Sequence, residues 1–150
     1  MNLALSLKQL LQLGKRFRLA NTNRLVALWF AKAYQDLRTA KALLSVTTDH
    51  FEATVFHCQQ VVEKSIKGYL AHHKIRFNKT HDIEKLLEQV ATVEPVLAEQ
   101  FRDSARLTKY AVAYRYPEET DVLAPLDRRS VNDVYALSEK IYTTLKEKVN

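Results

Sequence analysis

An all-α, antiparallel bundle of about five helices is the fold this sequence predicts, and three observations predict it. Glycine and proline are scarce, with 2 and 3 in 150 residues, far fewer than the turns of an all-β chain demand. Apolar residues recur at three- and four-residue spacing through most of the chain. The interruptions between these periodic stretches are short, as the connections of a bundle are. A chain of this length forms one domain and is long enough to bury a core.

The elements follow in order. Leu3, Leu7, Leu10, Leu11 and Phe17 fall roughly at helical spacing, Gly14 interrupts them, and Asn21, Thr22 and Asn23 close the stretch. Residues 1–22 therefore read as a basic amphipathic N-terminal extension. It is either a partly ordered tail or a helix that docks on a partner or an anionic surface. Residues 23–150 read as the helical domain. Leu25, Leu28, Trp29, Ala33, Leu37, Ala40 and Leu44 give a helix from about 24 to 45. Asp49 is placed to cap the next, which runs from about 50 to 74 on Phe51, Val55, Cys58, Val62, Ile66 and Tyr69. Residues 75–81 read as a loop, followed by a short helix on Ile83, Leu86, Leu87 and Val90. Pro95 suits a first helical position, and Leu97, Phe101, Ala105 and Val112 extend that fourth helix to about Ala113. Pro117 and Pro125 bracket a loop, and Ser130 with Asp133 has capping-box spacing before a last helix through Val134, Leu137, Ile141 and Leu145.

Composition excludes several classes of function. With Gly14 and Gly68 as the only glycines, neither a P-loop nor a dinucleotide fingerprint can be written. The single cysteine, Cys58, forbids an intrachain disulfide and any paired-cysteine zinc or redox motif. No HExxH or GxSxG motif occurs, and the adjacent His72 and His73 diverge by about 100° on a helix. No metal and no cofactor are expected. The longest apolar run is seven residues, Leu25 to Ala31, so no membrane span is expected. A cytoplasmic, reducing setting is the default.

The net charge of +6 is unevenly placed. Lys8, Lys15, Arg16, Arg18 and Arg24 give residues 1–24 a charge of +5 with no acid, so the remainder nets +1. Within that remainder, Lys64, Lys67, Lys74, Arg76 and Lys79 fall in a stretch with no acid between Glu63 and Asp82. It is either an anion-attracting patch or a solvated helix end whose cations face the C-terminal dipole.

Several blocks together carry a family resemblance. Asp36-Leu37 with Ala40 and Leu43-Leu44 opens the pattern. Phe56 through Lys67 reads Phe-His-Cys-Gln-Gln-Val-Val-Glu-Lys-Ser-Ile-Lys. Lys79-Thr80-His81-Asp82-Ile83 and Tyr110 through Pro117 follow. From about residue 25 to 148 the chain resembles the HEPN domains, the nucleotide-binding domains of higher eukaryotes and prokaryotes. The resemblance implies a helical bundle that pairs as a homodimer. It also implies a place beside a minimal nucleotidyltransferase in toxin–antitoxin-like pairs, and binding of a nucleotide or RNA. Some members of the family are metal-independent ribonucleases, with four to six residues between an Arg and a His on a late helix. Here Arg76 and His81 have that spacing but fall in the loop after the second helix. Phe77 follows the Arg where the family has a polar residue, and no His follows Arg115.

The candidate site residues are therefore weighed one group at a time. Gln60, Glu63, Lys64 and Lys67 share one face of the second helix. They form either a solvated stripe with an ordinary Glu63–Lys67 pair or, as the resemblance implies, a surface that orients a purine and attracts phosphate. His81 belongs either to a structural turn before the third helix, with Asp82 or Thr80 capping, or to a phosphate-contacting site where it moves protons with Arg76 as its partner. Lys79 would contact phosphate beside it. Tyr110 and Tyr114 share a helical face that ends in Arg115 and Tyr116, which either pack or stack on a base. Arg115, with its planar donor fork, is the first choice for an anion contact. Besides a phosphate-binding module and a ribonuclease, a ligand-free subunit that only builds a dimer and cradles a partner fits the same blocks.

Overall fold

The structure is a computed structural model and describes residues 6–46, 51–116, 118–119 and 123–150. No strand occurs among the described residues, and no helix of theirs is long and apolar enough to cross a membrane. The expected cap Asp49, the loop-bracketing Pro117 and the apolar residue Leu3 lie outside the described residues.

The first helix, α1, is Leu7–Ser45, 39 residues without interruption. Ser6 caps it by accepting from the Gln9 amide at 3.3 Å, while the Gln9 side chain accepts from the Ser6 N–H at 2.8 Å. The break expected at Asn21, Thr22 and Asn23 does not form, and residues 7–22 are the first half of α1 instead of a loose tail. The Thr22 hydroxyl donates to the Arg18 carbonyl at 3.0 Å, a bond that occupies this polar side chain without diverting the backbone.

Helix α2, Phe51–His72, is the central element. It ends at Lys74, which adopts φ 58°. The Lys74 and Ile75 amides bond back to the Ala71 and Leu70 carbonyls at 3.0 and 2.9 Å, closing the helix in a Schellman turn. α1 packs antiparallel along α2, and the two approach closely at Gly68. A Cβ there would lie 2.7 Å from Phe30 Cε2 and 3.2 Å from the Trp29 Cβ, so this crossing requires glycine.

Helix α3, Ile83–Ala91, is capped by Asp82, which accepts from the Glu84 amide at 3.0 Å. The fourth helix of the sequence reading is divided. α4 is Pro95–Gln100, a 3₁₀ segment covers Arg102–Arg106, and α5 is Leu107–Arg115. The break falls where buried Phe101 leaves helical geometry at φ −100°, ψ 2°. The Phe101 carbonyl then accepts from both the Ser104 amide, at 2.9 Å, and the Ser104 hydroxyl, at 2.7 Å. Phe101 is thereby driven into the core, and α5 can lie along α2.

The last helix, α6, is Arg128–Lys148. Its cap is Asp127, which accepts from the Ser130 amide at 2.7 Å and the Ser130 hydroxyl at 2.6 Å. The start is thus three residues earlier than the Ser130–Asp133 spacing indicates, because Ser130 serves as the N3 partner of a stronger aspartate cap. α6 runs antiparallel to α1, with Tyr142 edge-on to Phe30 at 6.0 Å. α2 is thus surrounded by α1, α5 and α6. Its Val55, Cys58, Val62, Ile66 and Leu70 join Phe30, Leu86, Leu107, Ile141 and Leu145 in one core.

Candidate functional site

α2 is apolar enough to be buried on most sides, yet it carries a polar stripe. Because α1, α5 and the 73–82 loop close around that stripe, it is not the solvated face that local spacing allowed. Glu63 is 2% exposed and Lys67 5%, with Gln59 and Gln60 buried beside them. Lys67 donates to Glu63 Oε1 at 2.8 Å. Gln59 Nε2 donates to Glu63 Oε2 at 3.1 Å and to the His81 carbonyl at 3.1 Å. Gln60 Nε2 donates to Gln59 Oε1 at 2.7 Å. The Lys67 ammonium also lies 5.4 Å from the Trp29 ring centroid and 5.9 Å from that of Phe77, a cation–π contact in a desolvated pocket.

His81 completes this cluster from the loop. Its Nδ1 lies 3.1 Å from Glu63 Oε1 and 3.2 Å from Oε2. The side chain is nevertheless 65% exposed, and Nε2 bonds to no described residue. Glu63 thus holds one ring nitrogen and leaves the other facing outward, which fixes the tautomer of a neutral ring and balances the charge of a protonated one. Thr80 supports the loop by accepting from the Asp82 amide at 3.1 Å. The Ile83 amide donates to Thr108 Oγ1 at 3.1 Å and ties the turn to α5.

The remaining candidates fall into three groups. Lys64 points to α1, where its ammonium bonds one oxygen of Asp36 while His57 Nδ1 meets the other at 2.9 Å. Arg76 and Lys79 are exposed on the loop and bond no described residue through their charged groups. The Arg76 carbonyl accepts from Gln89 Nε2 at 3.0 Å, which anchors the backbone beneath the free guanidinium. Arg115 lies over the Phe56 ring at 5.2 Å, and Tyr114 stacks on the same ring at 4.7 Å and 27°. Tyr110 and Tyr114 line a cleft of about 280 Å³ with Phe51 and Leu126. Tyr116 is exposed at the helix end, its amide bonded to the Val112 carbonyl at 3.0 Å.

Gln60, Glu63, Lys67 and His81 are therefore one assembly. Arg115 belongs with Tyr114 to a second centred on Phe56, seven residues from Glu63, or about 10 Å along α2, while Tyr110 lines the cleft beside Tyr114 and Tyr116 stands exposed at the helix end. Lys64 belongs to neither. Asp36, His57, Gln59, Trp29 and Phe77 emerge as members that residue spacing gave no reason to select. Their partners lie across helix packing, and only the register of α1 on α2 brings them together. No group of His, Cys, Asp and Glu among the described residues is arranged to hold a metal.

The described residues form a small all-α bundle around a buried carboxylate that gathers Lys67, Gln59 and His81. The chain belongs to the HEPN domain family, whose model matches residues 26–148. The crystal structure of an archaeal HEPN homologue is similar, with 26% identity and a TM-score of 0.63, over 83% of this chain and 98% of that one. No curated protein matches the sequence significantly.

Proposed function

We propose that this chain is a nucleotide- or RNA-binding module that works as a homodimer beside a minimal nucleotidyltransferase. The observation that carries this reading is the Glu63–His81 pair flanked by the partner-free cations Arg76 and Lys79. A buried carboxylate holds the imidazole so that Nε2 is offered outward, and two exposed cations in the same loop supply attraction for a phosphate. Arg115 and the Tyr114–Phe56 stack offer a planar donor fork and aromatic faces farther along α2, suited to a second phosphate or a base. Lys64 and Lys67 contribute through Asp36 and Glu63, because their ammonium groups already bond those carboxylates.

The test uses Lys79→Gln with Arg115→Gln, two exposed positions whose loss leaves the core intact. Binding of fluorescent oligoribonucleotide and of nucleotides is followed at several salt concentrations. Affinity falls tenfold or more, and each lost phosphate contact lowers the slope of log affinity against log salt by about 0.7 for single strands. Unchanged affinity and slope overturn the reading.

The same Glu63–His81 geometry favours a second reading, a metal-independent ribonuclease. His81 Nε2 would take the proton of an RNA 2′-hydroxyl as that oxygen attacks the adjacent phosphorus, the bond to the 5′-oxygen breaks and that oxygen takes a proton from water, and Arg76 would stabilise the phosphate charge. End-labelled RNA incubated in chelator separates the two readings. Cleavage by the native chain that is lost in His81→Ala supports the ribonuclease, and intact RNA in both leaves the binding module.

A further inference from the structure

Helix α1 carries two apolar faces. At about 100° per residue, Val26, Phe30, Ala33, Leu37 and Ala40 form the face buried against the bundle. Leu7, Leu10, Leu11, Phe17, Leu25 and Leu28 form another, centred about 120° away. All six are exposed, Leu7 at 74% and Phe17 at 68%. The second stripe is therefore not the bundle face carried too far. It continues beside Val26 and Phe30, where the other side of the same helix is fully packed. A contiguous apolar stripe of this size on a soluble surface marks an interaction site.

Charge points to its occupant. No acid precedes Asp36, while Lys8, Lys15, Arg16, Arg18, Arg24 and Lys32 all do. Lys15 and Arg18 also share a surface hollow with Lys74 from the end of α2. Pairing of the stripe with that of a second copy would set Arg18, which lies within it, against the cations of the other copy with no acid to offset them. Leu13, exposed as well, widens the apolar arc to about 160°, broader than the narrow seam of two paired helices. A broad Leu and Phe face flanked by cations is the pattern of a helix lying in the headgroup region of a bilayer. The arm, residues 7–25 of α1, lies outside the residues matched by the HEPN family model, which begin at 26.

We infer that the exposed face of α1 from Leu7 to Leu28 is a docking surface for anionic lipid bilayers. The leucines and Phe17 enter the acyl boundary, and Lys15, Arg18 and Arg24 reach the phosphates around it.

The test is co-sedimentation of the full chain with vesicles of phosphatidylcholine alone or mixed with phosphatidylglycerol. Binding occurs to the anionic vesicles and weakens with salt. Each cation near the surface strengthens binding about fivefold, so Lys15→Gln, Arg18→Gln and Arg24→Gln together reduce it about a hundredfold. Leu10→Asp with Phe17→Asp abolishes it while the chain keeps its helical circular dichroism and its cooperative unfolding. Absence of sedimentation with anionic vesicles overturns the inference. So does equal binding to neutral vesicles, or binding that survives the Leu10 and Phe17 changes. A dimer seen by light scattering that Leu10→Asp with Phe17→Asp converts to monomer, with no lipid binding, assigns the face to a second copy instead.

Discussion

Removing the Glu63 carboxylate should damage the protein more than removing the Lys67 ammonium that it binds. Lys67 is 5% exposed, and its one hydrogen-bond acceptor among the described residues is Glu63 Oε1 at 2.8 Å. Glu63→Gln leaves that cation buried without a counter-charge, a situation that costs about 3–5 kcal/mol. The loss lowers Tm by about 6–20 °C in a chain of this size. Lys67→Met keeps the stem among Trp29 and Phe77 and leaves Glu63 with Gln59, Gln60 and His81 as donors. Its cost is that of one charged hydrogen bond, about 1.5–3 kcal/mol. The double variant should be no less stable than Glu63→Gln alone, because the stranded cation is gone, giving a coupling of at least about 1.5–3 kcal/mol. Urea unfolding followed by helical circular dichroism measures all four corners of the cycle, with equal slopes as the check on two-state behaviour. Additive losses, or a Lys67→Met variant weaker than Glu63→Gln, would refute the view that Glu63 is the organiser and Lys67 the dependent.

Two further outcomes follow from the packing. Cys58 is fully buried, and burial pushes its thiol up to about 11 against a weaker opposing bond from Ser138. Only about a thousandth of it is thiolate at mildly alkaline pH, so Ellman's reagent should label it only as fast as the bundle opens, and rapid labelling under native conditions would contradict the packing. Glu94 is held below its ordinary value of 4.5 by hydrogen bonds from Lys148, first, and from Tyr69. A depressed carboxylate stabilises the fold above its unfolded pKa and loses that effect as the pH falls through its folded one. The stability gap between the native chain and Glu94→Gln should therefore be constant near neutrality and shrink as the pH drops below about 4.5; a gap that grows in acid would reverse the assignment.

The fold was largely legible in the sequence, because burial of an apolar stripe is a local pattern repeated along each helix. The departures occur where a single tertiary or capping contact outweighs that pattern. Phe101 looks like one more periodic residue of a long helix, yet its burial and the Ser104 bonds break the helix into three pieces. Ser130 looks like a cap, but Asp127 accepts from its amide and hydroxyl and starts the helix three residues earlier. The site was legible only in part. Glu63 and Lys67 could be paired from their spacing along one helix. That the pair is buried, and that His81 joins it from 18 residues away, depends on how the loop folds back over α2. Asp36 and His57 are 21 residues apart, and no local signal links them. Their contact is a property of helix register, which sequence periodicity leaves undetermined.

One rod of backbone serves both the arm and the bundle. α1 runs 39 residues with no proline, a length of about 58 Å. Trp29, at the edge of the Glu63 cluster, stands 22 residues from Leu7, or about 33 Å along the same axis. Whatever grips the arm therefore dictates the bearing of the polar cluster, as a handle dictates the bearing of a blade. The relation is one of phase as well as distance. A single residue added near Ala20 would swing the exposed leucines about 100° around the rod relative to the bundle, while seven added residues would return them to within about 20°. The angle between the two apolar faces of α1 is thus a fixed dimension of the molecule, written in residue count alone.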